Sequence, residues 1–269
     1  MSTSSLQELS NCLVQDVRTS WDEAASPWTI FVRDDFDIHR LRGHGRALID
    51  ACGDVTGLRA LDLGCGEGWC CRELARRGAD VVGVDVSGVM IASARSYPAE
   101  GASIDYRVMD GVDIGRELSG SQFDLATACM SLQDMPDPGA VLRATRQVLA
   151  PQGRLVCSVP HPFTHMMGGR RCVREPADGR LRMTVGGYFD RAKAFLVPWA
   201  PAKVGASWKT IRWSRSLEDY WRLFRESGFT MSDMLEPHPD ADDLLLSPTL
   251  LDSAEIPKSL LLVAQPDTR

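Results

Sequence analysis

The chain has 269 residues, 44% of them hydrophobic and 25% charged, with a formal net charge of −6. That length builds one large domain or two small ones, and the acidic balance argues against a surface made for nucleic-acid phosphates or anionic membranes. The polar N-terminal stretch does not read as a signal peptide, and no apolar run approaches the ~18 residues of a membrane span, so cytoplasmic residence is the simplest expectation.

In chain order, residues 5–25 and 37–52 read as two helices, separated by the aromatic and charged "SPWTIFVRDDFD". The rhythm then changes. "LRALDLGCG" (58–66) is a short apolar run that stops at glycines. "WCCRELARRGA" (69–79) has helical spacing and ends at Gly78, a fitting C-terminal stop. Strands are expected over 80–87, 103–110, 123–131 and 153–160, with helices over 88–97 and 137–150. This alternation predicts an α/β fold, a parallel sheet with helices on both faces.

From 161 to 215 the alternation lapses into a stretch rich in Gly, Arg and aromatics. A segment this long without clear helices is usually functional or disordered. An amphipathic helix capped by Ser216 follows, and "TMSDMLEP" and "PKSLLLVAQ" complete the expected strands. The reading is a single domain. Residues 1–55 form a helical extension or lid, 56–160 the core, 161–215 an inserted cover, and 216–269 the completion of the sheet.

Eight cysteines are present, with no CxxC pair and no His/Cys cluster of zinc spacing. They read as buried, reduced thiols, and no metal is expected.

The glycines of "LDLGCGEGW" follow the first strand, where doubly wound sheets bind ligands. Glycine there bares the main chain to a ligand. The spacing is GxGxG, with Trp69 where a dinucleotide loop would have its last glycine, so a pyrophosphate fits poorly. Asp62 and Glu67 would suit a ligand with positive charge, although Asp62 reads equally well as a turn-fixing carboxylate. The second strand ends in Asp85, an acid placed to accept both hydroxyls of an adenosine ribose. The third ends in Asp110, which can take an adenine amino group.

Together, "LDLGCGEG", "VVGVDVS", "RVMD", "FDLATACMSLQDM" and "LRATRQVLAPQGRLV" resemble the class I S-adenosylmethionine-dependent methyltransferases, in particular small-molecule members of the type 11 kind. The resemblance implies a Rossmann-like seven-stranded sheet, mostly parallel with an antiparallel last strand. It implies S-adenosylmethionine as cofactor and methylation of a small-molecule oxygen or nitrogen, secondary metabolism being one setting. By position, Gly64, Cys65 and Gly66 would meet the methionine part. Asp85 would hold the ribose, with Val86 against the adenine. Met109, Asp110 and Gly111 would surround the adenine, and the Cys129 carbonyl would receive the methionine ammonium. The segment around Trp28 and Arg33 is similar to a lid that reaches the methionine carboxylate; Arg33 reads otherwise as a surface ion pair with Asp34 or Asp35. Relatives often carry His-His after the fourth strand, where this chain has Gln133-Asp134.

The remaining task is to align the acceptor and take its proton. His161, between two prolines just past the fifth strand, is the candidate base or donor. Gln133, His165 and Tyr188 are candidate acceptor contacts. Tyr188, Phe189 and Trp199 read either as an aromatic cover over a planar substrate or as a small satellite core. The arginines of 170–182 read as a solvated loop, and neither a nucleic-acid nor a membrane partner is expected. A homodimer is left open. Two other readings stand beside the methyltransferase: a nicotinamide oxidoreductase, and a catalytically silent adenosylmethionine-binding partner.

Overall fold

The computed structural model describes residues 3–97, 103–164, 170–190, 193–247 and 250–267, with the side chains of 3–14, 170 and 171 outside that description. His165 lies outside the described residues.

A seven-stranded sheet organises the molecule. Its strands are β1 (Arg59–Leu63), β2 (Asp80–Asp85), β3 (Ile104–Val108), β4 (Phe123–Cys129), β5 (Leu149–Pro160), β10 (Phe229–Leu235) and β11 (Ser259–Pro266), in the order β10-β11-β5-β4-β1-β2-β3. β1 pairs in parallel with both β2 and β4, whereas β11 runs antiparallel to its neighbours β5 and β10. The central strands are buried nearly end to end, because helices cover both faces and leave no polar face to alternate. One core cluster lies under α6 (Pro138–Val148) and α7 (Leu217–Glu226), the other under α2 (Gly45–Cys52) and α3 (Trp69–Arg76). α4 (Gly88–Arg95) and the single turn α5 (Ile114–Glu117) complete the crossovers.

The first helix is longer than the sequence suggests. α1 (Thr3–Arg33) runs through Pro27 and absorbs the segment expected to lack regular structure. Pro27 lacks the amide hydrogen that a helix interior uses, so tertiary packing sustains this turn. Ala24 and Ala25 are fully buried, and Trp28 packs edge-on to Trp21 at 5.4 Å between ring centroids. Thr29 Oγ1 donates to Ser93 Oγ on α4 at 3.2 Å. The second expected helix is also altered: Arg40–His44 forms a π-helical turn before α2, with Gly43 outside helical dihedrals.

The stretch expected as a cover contains two antiparallel hairpins, β6 (Arg170–Arg174) with β7 (Leu181–Val185), and β8 (Ala194–Trp199) with β9 (Trp208–Trp213). β9 packs against α1. Trp208, Thr210 and Arg212 share the inner face of β9, and all three are buried. β6–β7 is tied to α9 (Leu251–Glu255), where Arg174 meets Glu255 at 2.7 Å. α8 (Ala241–Leu246) precedes α9 and begins with a capping box at Asp240. No helix of the described residues is long and apolar enough to cross a membrane.

Candidate active site

A cavity of about 710 Å³ opens at the carboxyl ends of β1, β2, β3 and β4. Small-molecule sites commonly span about 300–1,000 Å³. Its wall contains Trp28, Gly64, Cys65, Gly66, Asp85, Val86, Met109, Asp110, Gly111, Cys129 and Gln133, all singled out in the sequence. Arg33, His161 and Tyr188 are not in that wall.

The glycine loop divides its labour. Gly64, at φ +65°, is required by packing: a Cβ there would stand 2.6 Å from Cβ of Ser131, whose hydroxyl donates to the Leu63 carbonyl at 2.6 Å. Gly66, at φ +54°, would direct a Cβ into space with no protein atom within 4 Å. Gly66 is therefore the glycine that leaves room for a ligand.

Asp85 closes over this loop. Its carboxylate accepts the amide hydrogens of Gly66 and Ser87, each at 2.8 Å. Burial raises its pKa, and the two backbone donors oppose the rise. Each carboxylate oxygen retains a lone pair beyond these bonds, which a vicinal diol could occupy. Asp110 caps the turn after β3 by accepting from Val112 N at 3.2 Å, and burial likewise raises its pKa. Asp62 is a fixed strut, although the cavity touches it. It accepts from Thr127 Oγ1 at 2.8 Å and Cys71 Sγ at 3.3 Å, and burial pushes it up to about 6.

Glu67 does not wait for a cationic ligand. It is buried among three arginines, with Arg72 Nη2 at 2.6 Å, Arg33 Nε at 3.1 Å and Arg40 Nη1 at 3.8 Å. Arg33 thus spends its guanidinium on Glu67, on the Ser93 carbonyl and over the Tyr97 ring, which is why it does not line the cavity. Arg40 lines it instead. Its Nη2 donates to the Val32 carbonyl at 2.5 Å, while its buried Nε has no protein partner. One carboxylate against three guanidinium groups leaves a positive surplus there, suited to an anionic group of a ligand. Arg40 was missed in the sequence because its place depends on the π-helical turn.

His161 is turned away. Its Nδ1 accepts from Phe163 N at 3.2 Å, and its Nε2 stands 2.9 Å from Glu236 Oε1. Burial lowers its pKa, against the opposing pull of Glu236. Its ring stacks on Phe163, which packs on Tyr188 at 5.0 Å, and the Tyr188 hydroxyl accepts from Leu217 N at 3.2 Å. His161, Phe163 and Tyr188 thus pack as an aromatic cluster outside the cavity, with Phe189 largely exposed beside it, while Trp199 alone of the expected cover reaches the cavity.

The rest of the cavity wall is aromatic and polar. Trp28 meets Trp199 edge-on at 5.2 Å and Phe31 at 5.7 Å. Asp37, His39, His44, Gln133, Asp134 and Arg212 contribute polar atoms. His44 is buried, and burial drives its pKa down to about 4. Met130, at φ +52°, turns the chain from β4 into the short turn Leu132–Asp134. The described residues hold no cluster of three or more metal-ligating side chains. Burial pushes the Cys65 thiol up to about 11 and the Cys129 thiol up to about 12, so neither is a ready nucleophile.

Residues 61–157 match the family model described as a methyltransferase domain. A ubiquinone biosynthesis O-methyltransferase of Pseudomonas aeruginosa is 36% identical over 111 residues, 41% of this chain and 47% of that protein, so the match spans about half the relative's length. The crystal structure of an S-adenosylmethionine dependent methyltransferase from Mesorhizobium loti superposes with a TM-score of 0.65 at 26% identity, covering 82% of this chain and 96% of that one. A methyltransferase structure from Listeria monocytogenes, 21% identical with a TM-score of 0.65 over 83% of this chain and 98% of that one, shares the fold. With five motifs in order, the acids at the strand ends and the sheet order, these likenesses displace the nicotinamide alternative: residues 61–157 match a methyltransferase domain, and the chain has the fold of the class I S-adenosylmethionine-dependent methyltransferases.

Proposed function

We propose that the protein transfers methyl from S-adenosylmethionine to an oxygen of a small, ring-bearing molecule. The observation that supports this most is a cavity whose wall contains both Gly66, Asp85 and Asp110 and the aromatic side chains of Trp28, Phe31 and Trp199. The residues fit the cofactor. Asp85 holds the ribose hydroxyls, Asp110 takes the adenine amino group, and Val86, Met109 and Gly111 pack beside the ring. The main chain of Cys65 and Gly66 meets the methionine part. Arg40 replaces Arg33 as the residue for the methionine carboxylate, and Cys129 faces the ammonium.

When bound, S-adenosylmethionine supplies an activated methyl, so this chain's task is orientation, exclusion of water and removal of a proton. Trp28, Phe31 and Trp199 give an acceptor ring apolar walls. Oxygen is favoured as the methylated atom because the matched Pseudomonas relative is named an O-methyltransferase. Thermal unfolding with S-adenosylmethionine and with NADH tests the cofactor. Protection by the first alone supports the reading; protection by NADH alone contradicts it. Formation of adenosylhomocysteine with a hydroxyaromatic acceptor separates an enzyme from a silent binding partner.

A further inference from the structure

Resting on that reading, we infer that Asp134 is the proton acceptor for the methyl-accepting hydroxyl, and that Arg212, on the inner face of the β8–β9 hairpin, is its positioning residue. Asp134 ends the short turn after β4 and lines the cavity, yet only 5% of it is exposed. Its charge is lightly compensated. Arg212 Nε stands 3.4 Å from Oδ1, and Gln133 Nε2 donates to Oδ2 at 3.2 Å. The Gln133 Oε1 beside it is buried with no protein partner. A buried acceptor atom without a donor costs free energy unless a ligand fills the place, so the geometry asks for a donor in this chamber. An acceptor with two adjacent hydroxyls satisfies that demand, giving one O–H to Gln133 Oε1 and the other to Asp134. An acceptor carboxylate does not, because it has no O–H to donate and would set a second anion beside Asp134.

The other groups facing Asp134 are accounted for. Arg215, behind the turn, donates to the carbonyls of Leu132, Gln133 and Met135, and Tyr220 lies close to Arg215. Burial pushes Asp134 up to about 6, while Arg212, Gln133 and Arg215 hold it down. A base in that range is ionised at neutral pH and still able to take a proton. In the step, the O–H proton passes to the Asp134 carboxylate. The freed oxygen pair forms the bond to methyl, and the pair of the broken carbon–sulfur bond stays on sulfur. The negative carboxylate and the positive sulfonium both end neutral, so no other reactant is needed.

Arg212 reaches this carboxylate because Trp208, Thr210 and Arg212 alternate on one face of β9. Trp199, opposite Trp208 in the hairpin, stacks on it at 6.2 Å between centroids. One hairpin therefore supplies both an apolar wall and the charge that sets the base.

The test uses catechol, which stays un-ionised below pH 8, titrated into adenosylhomocysteine-loaded protein between pH 5 and 8 by tryptophan fluorescence. An ionised Asp134 accepts the catechol O–H, so affinity rises with pH. The wild type is expected to gain about fivefold or more, with a midpoint near 6. Asp134→Asn is expected to give a flat profile. Arg212→Gln, which removes the charge that lowers the Asp134 pKa, is expected to move the midpoint upward by about one unit. A step that survives in Asp134→Asn, or a flat wild-type profile, overturns the proposal. An unmoved midpoint in Arg212→Gln overturns the role of Arg212. Adenosylhomocysteine affinity serves as the fold control, and if Asp134→Asn fails to fold, the Arg212→Gln midpoint decides. Wild type that does not bind adenosylhomocysteine contradicts the cofactor reading instead.

Discussion

Gly66 is the residue whose missing side chain makes room at the site. Its absent Cβ would point into open cavity, whereas that of Gly64 would strike Ser131. Gly66→Val is therefore expected to abolish adenosylhomocysteine binding by occupying ligand space. The fold should lose only about 1–2 kcal/mol for a branched residue at positive φ. Calorimetry alongside urea unfolding checks both halves; normal binding by the variant would mean that the loop does not approach the ligand. The placement of Asp85, Asp110 and Gly66 in the cavity wall was legible in the sequence because each ends a strand or opens a turn within a few residues of its own context. His161 does not line the cavity, for a physical reason. Its position at the rim was clear, but its ring direction is set by Phe163 and Glu236, the latter distant in sequence. Asp134 and Arg212 lie 78 residues apart, and their meeting depends on a hairpin whose pairing the sequence did not announce.

At the scale of elements, Glu67 binds the glycine loop to α1, the π-helical turn and α3 through Arg33, Arg40 and Arg72. Glu67→Gln would leave three guanidinium groups without their common counter-charge. The expected loss is about 3–5 kcal/mol of stability, together with faster hydrogen exchange over residues 22–33. Unchanged exchange in α1 would mean that its aromatic contacts alone dock it. The strands were legible because apolar runs of β1, β2 and β4 stop at Gly or at a turn. α1 beyond residue 25 was not, since Pro27 reads as a break and the burial of Ala24 and Ala25, with the ring contacts of Trp28, carries the helix through it. The β8–β9 hairpin was hidden because β8 is half-buried and its pattern is weak beside neighbouring Gly and Pro.

For the whole molecule, buried groups oppose one another as the pH falls. His44 has its pKa lowered from 6.5 to about 4, so it favours the folded state above 6.5 and loses that contribution as the pH drops from 6.5 towards 4. Its neighbours Asp37, Arg40 and His39 adjust this shift, but burial dominates. Asp62 and Asp134, raised from 3.8 to about 6, work in the other direction. Their contribution is fully present below 3.8 and is lost as the pH rises through 6. His44→Gln removes only the first effect. Its Tm relative to wild type is expected to become more favourable between pH 6.5 and 4, by up to about 3 kcal/mol in stability. A difference that stays constant across this window would mean that His44 is not buried neutral.

The central claim is that one cavity binds S-adenosylmethionine through the acids at its strand ends, and a calorimetric titration with adenosylhomocysteine tests it most directly. Wild type is predicted to bind about one ligand per chain. Asp85→Ala, which removes the carboxylate that accepts from Gly66 N and Ser87 N and is proposed to hold the ribose, is predicted to bind at least about tenfold more weakly while remaining folded. Absence of binding by the wild type, or an affinity that Asp85→Ala leaves unchanged, would contradict the account.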